Sequence, residues 1–340
     1  MPTPFRDRLA AAWYARRLTP LSAMLLPLSW LFAAIVATRR ALYRHGVLRC
    51  ERIGVPVVIV GNLTVGGSGK TPLAIALAQA LAATGRRPGF VSRGHGRRSE
   101  LVREVRGGDD VGDVGDEPLL LAATGLPVFV GRDRVAAARA LLAAHAHCDV
   151  VVSDDGLQHY RLARDVEIVA VDESRGFGNG RMLPSGPLRE PVSRLREVDA
   201  VVRLQEGGEP TSTADGHDTT MTHEPAALRS LSAPGRPVDP SHWSRGRVHA
   251  VAGIGNPARF FALLARLGID AIPHAFADHH AFDAADLAFP DAEAIVMTAK
   301  DAVKCARFDD PRLYALDIRA VVSPALVKLV IARLDGRQAA

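Results

Sequence analysis

Apolar residues along the chain fall into short β-branched runs that alternate with longer stretches of helical spacing. Val55–Gly61 (VPVVIVG) predicts a buried parallel strand. A glycine-rich turn follows, and then Leu73–Ala83 (LAIALAQALAA), which reads as a helix. Further strands are predicted at Pro88–Val91, Pro127–Val130, Asp149–Ser153, Val166–Val171 and Ala200–Leu204, with a helix over Arg132–His145. Such alternation indicates a doubly wound α/β unit with a mostly parallel sheet over 51–205. Residues 206–245 are polar, rich in Gly, Pro, Thr and Ser, and without periodicity, so a linker or exposed excursion is expected there. Strand, turn and helix resume at Arg247 (VHAVAGI, GNP, ARFFALLARLG). The strand AIVMTA and a helix near Pro324–Leu334 follow, giving a second, smaller α/β domain over 246–340.

Residues 1–50 are different. Leu18–Thr38 runs 21 residues without a charge, about the length needed to cross a bilayer, but Pro20 and Pro27 interrupt it. Three readings fit: a buried helix of the fold, a span, and a helix lying against a membrane. The flanking arginine pairs and Trp30 favour the last.

Composition supports this division. The first 50 residues hold eight arginines against one acid, a balance of +7, whereas the other 290 carry 34 basic and 36 acidic groups. The positive charge is therefore local, which points to an anionic membrane surface and away from nucleic acid. Aromatic residues at 5% also argue against base stacking. The three cysteines, Cys50, Cys148 and Cys305, are odd in number and far apart, so neither a disulfide framework nor a Cys-x-x-Cys metal site is expected.

The strongest chemical signal is Thr64-Val65-Gly66-Gly67-Ser68-Gly69-Lys70-Thr71, placed between a predicted strand and a predicted helix. Backbone N–H groups in such a phosphate-binding loop (P-loop) wrap phosphates. Lys70 would reach the β- and γ-phosphates of ATP, and the Thr71 hydroxyl would hold Mg²⁺. Thr64 stands where the usual pattern has Gly. A neighbouring strand should end in an acid that orients the cation, and Asp149–Gly156 (DVVVSDDG) offers Asp154 and Asp155. Two further segments carry polar groups. In Gly112–Pro118, Asp116 could simply cap a helix. Phe276–His280 could provide a base, a metal site or exposed polarity. Only four of the 42 basic residues are lysines: Lys70 in the P-loop, Lys300 and Lys304 close together in Thr298–Lys304, and Lys328.

These residues, taken in order, resemble the tetraacyldisaccharide 4′-kinase family. The resemblance rests on Gly61-Asn62-Leu63-Thr64 leading into the P-loop, Ser92–Arg97, Val114–Pro118, Asp154–His159, Asn179–Pro184, Gly186–Pro191, Asp278–His280 and Thr298–Lys304. Thr64 looks normal for the family, whereas His95 stands where an aromatic residue is expected. The resemblance implies an ATP- and Mg²⁺-dependent kinase that phosphorylates the 4′-hydroxyl of a tetraacyldisaccharide 1-phosphate. It would act at the cytoplasmic face of the bacterial inner membrane, with no obligate protein partner. Asp116 is then the general base, assisted by His279. Glu190 lies near Mg²⁺, and Arg93, Arg97, Gln158, His159 and Arg189 face the substrate. Two other classes compete. One is a membrane-tethered nucleotide switch, although no Asn-Lys-x-Asp guanine motif occurs. The other is a metal-dependent phosphoesterase built on Asp278-His279-His280.

Overall fold

A computed structural model describes residues 5–15, 17–233 and 238–338. Arg16, one of the N-terminal basic residues, lies outside the described residues, and the side chain of Arg6 is likewise not described.

The chain opens with helices α1 (Phe5–Trp13), α2 (Pro20–Met24) and α3 (Leu26–Arg44). It then alternates strand and helix: β1 (Val57–Gly61), α4 (Lys70–Ala83), β2 (Pro88–Ser92), β3 (Arg103–Glu104), α5 (Val111–Val114), α6 (Asp116–Ala122), β4 (Val128–Val130), α7 (Arg134–Ala144), β5 (Val150–Asp154), β6 (Val166–Asp172) and β7 (Ala200–Gln205). Next come β8 (Asp218–Ser230), β9 (Val248–Ala252), α8 (Pro257–Arg266), β10 (Ala271–Ala275), β11 (Ala294–Thr298), α9 (Ala299–Cys305), β12 (Leu313–Val322) and α10 (Pro324–Gln338). Every strand and helix expected from the pattern is present, within a few residues at the ends.

The strands form one sheet of order β10-β9-β11-β12-β8-β7-β6-β1-β5-β2-β4-β3. From β7 to β4 neighbours are parallel, and β9, β10, β11 and β12 are parallel among themselves. The direction reverses at β8, which runs parallel to β7 but antiparallel to β12. The expected linker over 206–245 is thus corrected in its middle. Strand β8 is 13 residues long and joins the two halves of the sheet. Its Thr-rich sequence lacks apolar alternation because four consecutive residues, Glu224–Ala227, are exposed, so no hydrophobic face had to be encoded.

Both faces of the sheet are covered. Val58, Val60, Phe90, Val152 and Ile168 face Leu73, Leu77 and Leu81 of α4, with Leu121 and the C-terminal Leu326 and Val330 on the same side. Val91 and Val151 face Ala137 and Leu141 of α7. Strands buried on both sides explain the continuous apolar runs in the sequence.

The N-terminal helices do not join this core. Among the described residues of α3 only Ser29 is buried, donating to the Met182 carbonyl at 2.7 Å. Met24, Leu28, Trp30, Leu31 and Ile35 are exposed, Trp30 by 65%. The reading of Leu18–Thr38 as a buried helix is therefore set aside. Among the described residues no helix is long and apolar enough to cross a membrane.

This contrast gives a stability expectation. Leu77 is 1% exposed, so Leu77→Ala should destabilise the protein by about 3 kcal/mol. Leu31→Ala, on the open face of α3, should cost less than about 0.5 kcal/mol. Urea unfolding followed by fluorescence compares them; equal shifts in midpoint would contradict the described packing.

Candidate active site

The carboxyl ends of β1, β2, β5 and β6 carry the loops that hold most of the expected site, as an open α/β sheet requires. The 64–71 loop leaves β1 and enters α4 at Lys70, with Gly69 left-handed at φ 79° as the N-cap. Asn62 Nδ2 donates to the Gly66 carbonyl at 3.3 Å and closes the loop's base. Residues Gly67–Thr71 line a cavity of about 820 Å³ whose opposite wall comes from the second half of the sheet, including Asn256, Arg259 and Lys300.

Thr71 Oγ1 donates to Asp154 Oδ2 at 2.9 Å. Asp154 is fully buried and its Oδ1 has no hydrogen-bond partner. Burial first, and then the negative charge of Glu117, push its carboxyl upward. A buried carboxylate with an open oxygen beside a threonine hydroxyl suits a hard cation, which would reverse that shift. Among the described residues no cluster of three or more His, Cys, Asp or Glu side chains could hold a metal, so a cation here would complete its shell with phosphate and water oxygens.

Asp155 differs from its neighbour. It adopts φ 51° and turns toward Lys70 Nζ at 3.8 Å and Arg189 Nη2 at 3.0 Å. Burial opposes its ionisation, but the charges of Lys70 and Arg189 prevail and hold the carboxyl well below the usual range. Arg189 also donates to Asn62 Oδ1. Glu190 is completely buried and points elsewhere. Its carboxylate accepts from Gln158 Nε2 at 2.9 Å and Tyr160 Oη at 2.5 Å, with Arg40 and Arg194 at 3.6 and 3.5 Å. A cation at Glu190 would have to displace one of these donors. Arg189 and Glu190, adjacent in the chain, thus take separate partners.

The second cluster forms where the halves meet. Gly115, at φ 93°, packs directly on Gly94 and the His95 carbonyl and starts α6 with Asp116. Asp116 is 4% exposed, and its Oδ1 accepts from the Glu117 amide at 2.9 Å. His279 Nδ1 lies 2.9 Å from Asp116 Oδ2. Lys300 Nζ sits 3.3 Å from Asp278, 3.2 Å from Glu117 and 3.9 Å from Asp116. Burial would raise the Asp116 carboxyl, but His279 and Lys300 bring it down to about 2. Burial acts on His279 in the opposite sense, and its hydrogen bond to Asp116 outweighs this and raises the imidazole. Further contacts tie the halves together. Arg259 meets Asp172 at 2.6 Å, and Gly255 touches Gly67 so closely that no side chain fits.

Of the other expected substrate residues, Arg93 is exposed and Arg97 half-buried. Burial lowers the His159 imidazole to about 4, aided by Arg134. His280 pairs with Asp286 at 2.8 Å. The two histidines of Asp278-His279-His280 thus take separate partners, His279 at Asp116 and His280 at Asp286, and do not converge on one point as a phosphoesterase centre would need. Sequence reasoning missed Arg134, Asn62, Glu117 and Tyr160, and left Lys300 without a role. Arg134 is 4% exposed and donates to the Asp155 carbonyl at 3.3 Å, but it lies in an alanine-rich helix that gave no signal. Lys300 did have one, in the scarcity of lysine.

A family profile described as "Tetraacyldisaccharide-1-P 4'-kinase" matches residues 21–335. Proteins named tetraacyldisaccharide 4′-kinase from Azoarcus sp. (strain BH72) and Alkalilimnicola ehrlichii are 49% and 51% identical, over 95% and 94% of this chain and 94% of each relative. LpxK from Aquifex aeolicus, crystallised as an "apo" form in complex with ATP, is 30% identical. It superposes with a TM-score of 0.76 over 92% of this chain and 99% of its own.

The Asp116–His279 contact has a measurable signature. The folded carboxyl pKa of about 2 lies below the ordinary 3.8, so the stabilisation is complete above about pH 4 and is lost as pH falls through 2. A shift of this size corresponds to roughly 2 kcal/mol. Carboxyl ¹³C titration should show Asp116 ionised down to about pH 2, and His279→Ala should move its midpoint upward. A midpoint near 4 in the unsubstituted protein would contradict the geometry.

Proposed function

The chain belongs to the tetraacyldisaccharide 4′-kinase family, and on that premise we propose that it transfers the γ-phosphate of ATP to the 4′-hydroxyl of a tetraacyldisaccharide 1-phosphate, with Asp116 as general base assisted by His279. The enzyme is a kinase of lipid A biosynthesis. The observation that carries the proposed mechanism is the hydrogen bond joining Asp116 to His279 from opposite halves of the sheet, beside Glu117 and Lys300, which line the same cavity as Lys70 and Thr71.

Phosphoryl transfer asks mainly for positioning and charge neutralisation. The 64–71 loop supplies backbone donors, and Lys70, poised by Asp155, reaches the outer phosphates. Thr71 and Asp154 would hold Mg²⁺, which when bound offsets the charge of the β- and γ-phosphates. Asp116 is ionised at any working pH. It is a weak base, but a loose transition state leaves the alcohol's proton in place until bonding to phosphorus is advanced. His279 orients the receiving carboxylate and Lys300 fixes both. Arg93, Arg97, Gln158, His159 and Arg189 would bind the lipid's sugar and phosphate.

The acceptor's acyl chains keep it in the bilayer, at about 0.8 kcal/mol per buried CH₂. The open apolar face of α3, with Trp30 and the flanking arginines, supports a reading in which the enzyme lies on the cytoplasmic face of the inner membrane. The interlocking of 51–205 with 246–340 supports two lobes whose closure assembles the site and limits idle ATP hydrolysis.

The test is incubation with γ-labelled ATP, Mg²⁺ and tetraacyldisaccharide 1-phosphate in detergent. Label should enter the lipid, and Asp116→Asn and Lys70→Ala should each lower kcat by about 10²-fold or more. ATP turnover without labelled lipid, in folded protein, would overturn the kinase mechanism in favour of a nucleotide switch.

A further inference from the structure

Strand β8 does more than join the halves. His223 lies near its middle, opposite Ala320 of β12, and lines the cavity that the 64–71 loop faces. Its Nε2 is buried and has no hydrogen-bond partner. The atom lies 3.5 Å from the position a Gly69 Cβ would take, against the loop residue that opens α4. An unpartnered buried ring nitrogen costs about 1–3 kcal/mol unless something polar reaches it. Three arginines of the same cavity wall are paired with carboxylates: Arg259 with Asp172 and Glu206, Arg229 with Asp317, and Arg319 with Glu224.

We infer that His223 is a nucleotide-positioning residue whose Nε2–H donates a hydrogen bond to a phosphate oxygen of ATP held by the 64–71 loop. This rests on the reading of that loop as the ATP site. Phosphate, rather than base or ribose, follows from proximity to Gly69, in the segment whose N–H groups wrap phosphates. Burial, and then the charge of Arg259, lower the imidazole to about 4 against the opposing pull of Asp172, so the free enzyme presents a neutral ring. The charged groups that act on it are Arg259 of α8 and Asp172 at the end of β6, and Glu206, just after β7, and Lys70 of α4 line the same cavity. Bound phosphate adds negative charge beside the ring and should raise its pKa.

Calorimetry of ATP binding to the full-length chain tests this with His223→Phe and His223→Gln. Phe fills the space without a donor and should weaken binding about tenfold. Gln supplies an amide donor and should recover most of the loss. In kinase turnover the Phe change should appear in the KM for ATP more than in kcat. In ¹⁵N-histidine-labelled protein the His223 Nε2 resonance should shift on adding ATP but not adenosine. Unchanged ATP affinity in a folded His223→Phe protein, or an equal shift with adenosine, would overturn the assignment. No ATP binding by the unsubstituted protein would instead overturn the reading of the loop.

Discussion

A buried carboxylate must be neutralised or it will not remain ionised. Asp116 meets this demand through an imidazole and an ammonium supplied from the other half of the sheet, and much of the architecture follows. The loop after β10 must project His279 toward α6, and α9 must start with Lys300 facing the same point. The glycines at 94 and 115 must let two backbones touch so that Asp116 can begin its helix there. The same seam brings Gly255 onto Gly67 and Arg259 onto Asp172. Residues of both halves therefore meet along one seam beside the 64–71 loop. The carboxylate proposed to receive the acceptor's proton thus takes both of its cationic or hydrogen-bonding partners, His279 and Lys300, from the other half of the sheet.

The N-terminal helices add a second constraint. Arg40 of α3 reaches Glu190 and Glu197, and Ser29 and Ser185 tie the helical hairpin to the loop that leads to Arg189. The segment with the exposed apolar face is thereby joined to the residues beside Asp155. A surface suited to lipid and a site suited to phosphate are held in one frame by polar contacts.

Much of this was legible in the sequence. The parallel strands announced themselves because strands buried on both faces need unbroken apolar runs, and the turn from β1 into α4 because its glycines stand between a strand run and a helical run. The contact of Asp116 with His279 could be expected only from family resemblance, since by spacing alone Asp116 was a helix cap and Phe276–His280 a base, a metal site or exposed polarity. The bridging strand β8 was not legible: exposed over Glu224–Ala227, it carries no hydrophobic alternation. Arg134 and Tyr160 were hidden for a related reason. Their roles depend on tertiary partners far along the chain, and nothing in their neighbouring residues marks them. Glu190 was expected beside the cation, but its oxygens are filled by Gln158 and Tyr160 from the loop after β5, a contact that spacing does not encode.

The central claim is that Asp116 and His279 act as one unit assembled from both halves. A double-mutant cycle on kcat for lipid phosphorylation, using Asp116→Asn, His279→Gln and the combined variant, tests it most directly. If the pair is one unit, the combined variant loses no more than about what the worse single variant loses. Losses that multiply across the two substitutions would show two independent contributions and contradict the account.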